Sequence, residues 1–170
     1  MFGRFEGFPN NIHLIEFFSS KLSYKRLQLC LIEILQELNK QEYSFDQISI
    51  PTVPGCKIIF DIGIAESEDF NYIDLDEEKK LTEATKRRYL DEIDLYFAIR
   101  YYKINKNKRK PLKFDYYMIG IIFKKDRGLE IRAFHERGPR YLTPEDLVNV
   151  LIKKVNQKSS RKILKRIRLD

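Results

Sequence analysis

Side chains whose type and spacing could do chemistry are few in this 170-residue chain. Asp115, Glu130 and Arg132, two acids and a cation, form the best set. His13 and His135 are the only histidines, too few for a His-rich metal centre. Asp61 and Asp94 each interrupt an apolar alternation, so both are carboxylates in need of partners. Arg137 and Arg140 precede a helix start and suggest an anion site made of two guanidiniums and helix amides. Cys30 and Cys56 lack metal-ligand spacing and imply no disulfide framework. The glycines are scattered and form no phosphate loop, and Ser19, Ser20, Ser159 and Ser160 have no nucleophile context.

Cations are the stronger signal. Lys153, Lys154, Lys158, Arg161, Lys162, Lys165, Arg166 and Arg168 put eight positive charges in sixteen residues with no acid among them. The whole chain carries only +7, so its basicity belongs to this C-terminal run and not to the body. On a helix, Ile163, Leu164 and Ile167 would make a narrow apolar stripe among those charges. Such a segment suits a phosphate backbone, an anionic lipid surface or an acidic partner, or is simply solvated. A second cluster, Lys103, Lys106, Lys108, Arg109 and Lys110, marks a hairpin tip that could enter a duplex groove.

The elements that position these groups centre on a three-stranded antiparallel meander over residues 92–136. A turn at Asn105 to Lys110 sets Tyr102 opposite Lys113, Arg100 opposite Asp115, Ala98 opposite Tyr117 and Tyr96 opposite Ile119. Ile93, Leu95, Phe97, Ile99 and Tyr101 then face the core with Ile122, Gly120, Met118, Tyr116 and Phe114. A second turn at Lys125 to Gly128, with Gly128 at positive φ, sets Gly120 opposite Ala133 and Met118 opposite His135. The strip Leu95, Gly120 and Ala133 would receive the first helix. The outer face carries Tyr96, Tyr117, Ile119, Ile121, Phe123 and Phe134. A helix of the same chain, a second subunit or stacked bases could cover it, and its isoleucines favour protein over bases.

This register separates the metal set. Asp115 with Glu130-Ile131-Arg132 superficially resembles the D, then D/E-x-K, pattern of a metal-dependent nuclease superfamily, with arginine in place of the lysine. Glu130 falls opposite Phe123, eight residues along the strand from Asp115. That is roughly 26 Å, too far for one metal. Asp115 becomes the partner of Arg100, Glu130 an exposed edge residue and His135 an inner-face imidazole, so no catalytic residue, metal or cofactor is assigned.

Elsewhere, helical spacing covers residues 11–40, with Ser23 capping a second segment, and strands are expected at 46–51 and 57–65. The charged crossover 66–91 has its acids first and its bases last, as a helix dipole favours. Thr143 and Pro144 followed by Glu145 and Asp146 start a final helix. The longest apolar run, Tyr116 to Phe123, is far short of the roughly 20 residues of a membrane helix. With no signal-peptide core, the expected location is cytoplasmic. Abundant Lys, Glu and Ile with no Trp suits a hot habitat.

The reading is an α+β domain over 1–157 with a basic C-terminal extension over 158–170. Its antiparallel sheet has about five strands, flanked by N-terminal and C-terminal helices. The function expected is non-enzymatic nucleic-acid binding through Lys106, Lys108, Arg109, Lys110, Lys158, Arg161, Lys162, Lys165, Arg166 and Arg168. The alternative is a protein-interaction module that homodimerises through Tyr96, Tyr117, Ile119, Ile121 and Phe134, with an unrecognised carboxylate enzyme as the remainder.

Overall fold

Alternation and capping together build an eight-stranded antiparallel sheet with helices against one face, seen in a computed structural model. It describes residues 2–49, 55–87, 90–105, 108–159 and 162–168, with backbone alone over 104–105 and 108–112. The elements run β1 (Leu14–Ser20), α1 (Tyr24–Leu38), β2 (Glu42–Ser44), α2 (Phe45–Ile48), β3 (Cys56–Glu66) and β4 (Asp69–Tyr72). They continue with α3 (Leu75–Arg87), β5 (Glu92–Asn105), β6 (Lys108–Phe123), β7 (Gly128–Arg137), α4 (Pro144–Lys158) and β8 (Leu164–Ile167). The sheet order is β2-β3-β5-β6-β7-β1-β8, and β4 pairs with β3.

The fold is α+β with an antiparallel sheet, wider than expected because β1, β4 at the start of the charged crossover, and β8 add three strands. Within 11–40 the helix begins only at Tyr24, and β1 lies between β7 and β8. Leu14, Phe17 and Phe18 mimic helical spacing, yet in the strand Phe18 turns into the core and Ile15 faces out. The C-terminal stripe is not helical either. Leu164 pairs with Ser20, and Ile163 and Leu164 are each 1% exposed. Phe45–Ile48, which overlaps the strand expected at 46–51, is a short helix because Gln47 caps the Ser44 amide at 2.8 Å; residues 50 and 51 of that expectation lie outside the described residues. The Thr143 start of α4 stands as read: Asp146 N–H donates to Thr143 Oγ1 at 3.2 Å and Thr143 N–H to Asp146 Oδ2 at 2.9 Å.

The meander is present, but β6 is slipped by one residue. Leu95 lies opposite Ile119, Phe97 opposite Tyr117 and Ile99 opposite Asp115. Asn105 pairs with Lys108, a tighter hairpin than expected, and the register shifts again at Tyr101/Tyr102, so the count around the tip changes. The second hairpin shifts likewise, with Ile119 opposite Ala133 and Tyr117 opposite His135. There Arg127, at φ 65, takes the left-handed position expected of Gly128. A one-residue slip exchanges faces. Tyr117, Ile119 and Ile121 are therefore 0% exposed in the core beside Ile93, Leu95, Phe97 and Ile99. Gly120, Met118, Tyr116 and Phe114 face outward. The row across the three strands on the inner face is Leu95, Ile119 and Ala133.

Helices α1 and α4 touch each other and share one core with that inner face. Residues 2–13 cross the opposite face: Phe5 packs on Phe70 and His13 on Phe134. Cover by the same chain is among the expectations, although the element is an irregular arm of turns and isolated bridges and not a helix.

Candidate nucleic-acid interface

The slip changes the chemistry of the outer face. Side chains at alternate positions of β6 and of its neighbour β5 form a row of rings in place of isoleucines. Phe114 and Tyr116 lie 6.3 Å apart and nearly parallel at 15°, Tyr116 and Tyr96 are 6.0 Å apart, and Tyr96 and Phe70 are 5.3 Å apart. Arginines line this row. The Arg137 guanidinium sits 4.1 Å from the Tyr116 ring centre, and Arg100 lies 5.7 Å from that of Tyr102 while donating to its hydroxyl. Phe114 is 39% exposed and Lys113 beside it is exposed. Tyr96 donates to Glu136, and burial followed by that hydrogen bond raises its pKa far above the usual phenol value. It remains a neutral ring.

Arg100 is not the partner of Asp115. It pairs with Asp61 from β3, Nε to Oδ2 at 2.7 Å, which gives Asp61 its cation. Asp115 is instead fully buried and gathers four donors: Tyr101 Oη at 2.6 Å, Arg140 N–H at 2.8 Å, His135 Nε2 at 2.9 Å and Tyr141 N–H at 3.0 Å. Tyr101 Oη in turn accepts from Leu142 N–H at 3.0 Å, and Tyr117 donates to the Leu142 carbonyl. Burial, then the bond to Asp115, pushes the Tyr101 pKa strongly up. The network binds β5, β6 and β7 to the segment that leads into α4. It fixes the backbone where Arg137 leaves the sheet.

Glu130 is 6% exposed and holds Arg132 at 2.6 Å, so it is not an exposed edge residue, because β1 covers that side of β7. Among the described residues no group of three or more His, Cys, Asp and Glu could hold a metal ion. None of the described helices is long and apolar enough to cross a membrane.

The expected cations divide into several groups. Lys158 is ion-paired with Glu33 at 3.1 Å and Glu37 at 2.6 Å. Arg166 is held by Glu16 at 3.2 Å and by Asn149 at 2.8 Å over the Phe18 ring. Lys162, Lys165 and Arg168 are exposed along β8 and its flanks. Lys162 also borders a groove of about 580 Å³ between α4 and β8, with Asn149, Lys153 and Asn156. Lys106 and Arg161 lie outside the described residues, as do the side chains of Lys108, Arg109 and Lys110. Arg137 and Arg140 are both exposed, but one lies on Tyr116 and the other, at φ 65, gives its amide to Asp115. Of the proposed interface, Tyr96 and Phe134 face outward, whereas Tyr117, Ile119 and Ile121 are core residues and form no surface. Phe114 and Tyr116 lie on the face opposite to the one expected from the turn. The Tyr101/Tyr102 bulge moves them, and nothing in the local alternation marks it.

Because Leu164 and Ile163 are buried, ending the chain at Gln157 is expected to uncover Phe18 and lower the melting temperature. Thermal unfolding of that truncated protein checks this. An unchanged midpoint would show that β8 adds nothing to the core.

No family model, curated protein or solved structure matches this chain.

Proposed function

We propose that this protein binds single-stranded nucleic acid on the outer face of its sheet, without catalysing a reaction on it. Bases stack on Phe114 and Tyr116, and the exposed Arg137 on the same face meets the phosphates. The observation that carries the reading is the exposed end of the ring row: Phe114 at 39% exposure, parallel to Tyr116 and rimmed by arginine. In sequence the adjoining hairpin tip adds Lys106, Lys108, Arg109 and Lys110, and the β8 edge offers Lys162, Lys165 and Arg168 as a second cationic surface. Aromatic faces tolerate any base, so affinity is expected to depend on strandedness and salt more than on sequence.

Fluorescence anisotropy with single- and double-stranded DNA and RNA across a salt series tests this. A base stacked on an aromatic ring is worth about 1–3 kcal/mol, so Phe114→Ala and Tyr116→Ala should each weaken single-strand binding by roughly fivefold or more. Equal affinity of wild type and both variants would refute the stacking surface. Phe114 also gives a second reading, self-association through the same face. That reading requires a concentration-dependent dimer that Phe114→Glu dissolves.

A further inference from the structure

Beyond the Ile62–Phe97 pair, β3 leaves β5 and runs beside β4, and the N-terminal arm fills the space. Gly3 N–H donates to the Ala65 carbonyl at 2.8 Å, and Asp94 N–H donates to the Gly3 carbonyl at 2.6 Å. Phe5 N–H donates to Asp94 Oδ2 at 2.7 Å. The Phe8 ring lies over Gly120, where a Cβ would stand 3.2 Å from both that ring and Asp94 Oδ1. A larger residue than glycine would push both away.

Asp94 is 1% exposed, and its Oδ1 has no hydrogen-bond partner. A buried carboxylate without a cation is costly, and the usual response is to keep its proton. The charged groups around it are Glu92 on β5, Arg4 and Glu6 on the arm, and Arg132 on β7. Neither arginine is ion-paired with it: Arg4 is 3.3 Å from Glu92 and Arg132 is 2.6 Å from Glu130. Burial is the main cause that raises the Asp94 carboxyl to about 7; the Phe5 amide opposes it, Glu92 adds to it by charge and by hydrogen bond, and the Arg4 charge opposes it more weakly. These acids and arginines come close to cancelling, so the cavity of about 540 Å³ here has no marked preference for an anion or a cation. Its walls are largely the arm itself.

We propose that Asp94 is a proton-operated latch for the N-terminal arm: with its proton the arm stays wedged between β3 and β5, and without it the arm loosens. Two neighbouring carboxylates, Asp94 and Glu92, would then both be charged beneath the arm. The sign follows from proton uptake. The closed arm binds a proton more tightly than the open chain, so closure is favoured at low pH. That advantage is lost as pH rises from the ordinary carboxylate range through the raised value. Release of Phe5 would bare Phe70 and Tyr96 and lengthen the ring row. This consequence rests on the nucleic-acid reading, whereas the latch itself does not.

Hydrogen exchange on the full chain at about pH 5.5 and about pH 8.5, corrected for intrinsic rates, tests the latch. Relative to the Ile119 amide, protection at Gly3 and Phe5 is expected to fall about tenfold or more at the higher pH, and Asp94→Asn should abolish the fall. Unchanged wild-type protection, or an equal fall in Asp94→Asn, would overturn it. Should that variant not fold, Glu92→Gln is expected to shrink the same fall, and an undiminished fall would count against the latch. A protein that binds no oligonucleotide at either pH would end the nucleic-acid reading and leave the exchange result intact.

Discussion

Replacing Asp115 with alanine is expected to destabilise the fold by about 3–5 kcal/mol, enough to unfold much of an ordinary domain. The carboxylate is fully buried and satisfies Tyr101, His135 and the amides of Arg140 and Tyr141 together, so its removal orphans all four donors. The backbone there has no room to close over the gap with a different residue. Gly138 sits at φ 115, and a Cβ on it would stand 2.3 Å from Asp115 Oδ1 and 2.4 Å from the Phe114 carbonyl. Urea unfolding monitored by circular dichroism measures the loss. Asp115→Asn, which keeps the shape but adds two N–H groups to a site already full of donors, should also destabilise, though by less than alanine. A loss under about 1 kcal/mol for alanine would mean that the hub is not what holds the α4 approach to the sheet.

The second large effect is a contrast between neighbours on β6. Ile119→Glu puts a carboxylate among Leu95 and Ala133 in the core and is expected to abolish folding, whereas Met118→Glu, on the half-buried outer face, should fold. Under the register expected from sequence the outcomes exchange places, with Ile119→Glu tolerated on the surface. Dispersion in an amide NMR spectrum of each variant decides between them. The same substitution therefore cannot report on oligomeric state, because Ile119 is fully buried in the core of its own chain.

Much of this architecture is legible in the residues. The α+β class, the meander, the start of α4 at Thr143 and the inner faces of β5 and β7 all follow from alternation and capping. The face of β6 does not. Tyr116 to Phe123 is apolar on both sides, so alternation cannot choose a register, and charge is the remaining guide: in sequence Arg100 can be matched to either Asp115 or Asp61. Asp61 wins because Asp115 is needed inside by Tyr101 and His135. Likewise β1 and β8 are held by pairing with distant strands, and local spacing carries no trace of that. For the candidate site, the cations were legible as types. Their partners were not, since Lys158 and Arg166 are held by Glu33, Glu37 and Glu16 from far along the chain.

Where a strand would lie is measured most directly by titrating a short single-stranded oligonucleotide into isotope-labelled wild-type protein and following amide and aromatic chemical shifts. Binding on the outer face moves Tyr102, Phe114, Tyr116 and Arg137 together and leaves Ile119 and Tyr117 in place. Shifts confined to β8 and α4, or none at all at low salt, would contradict it.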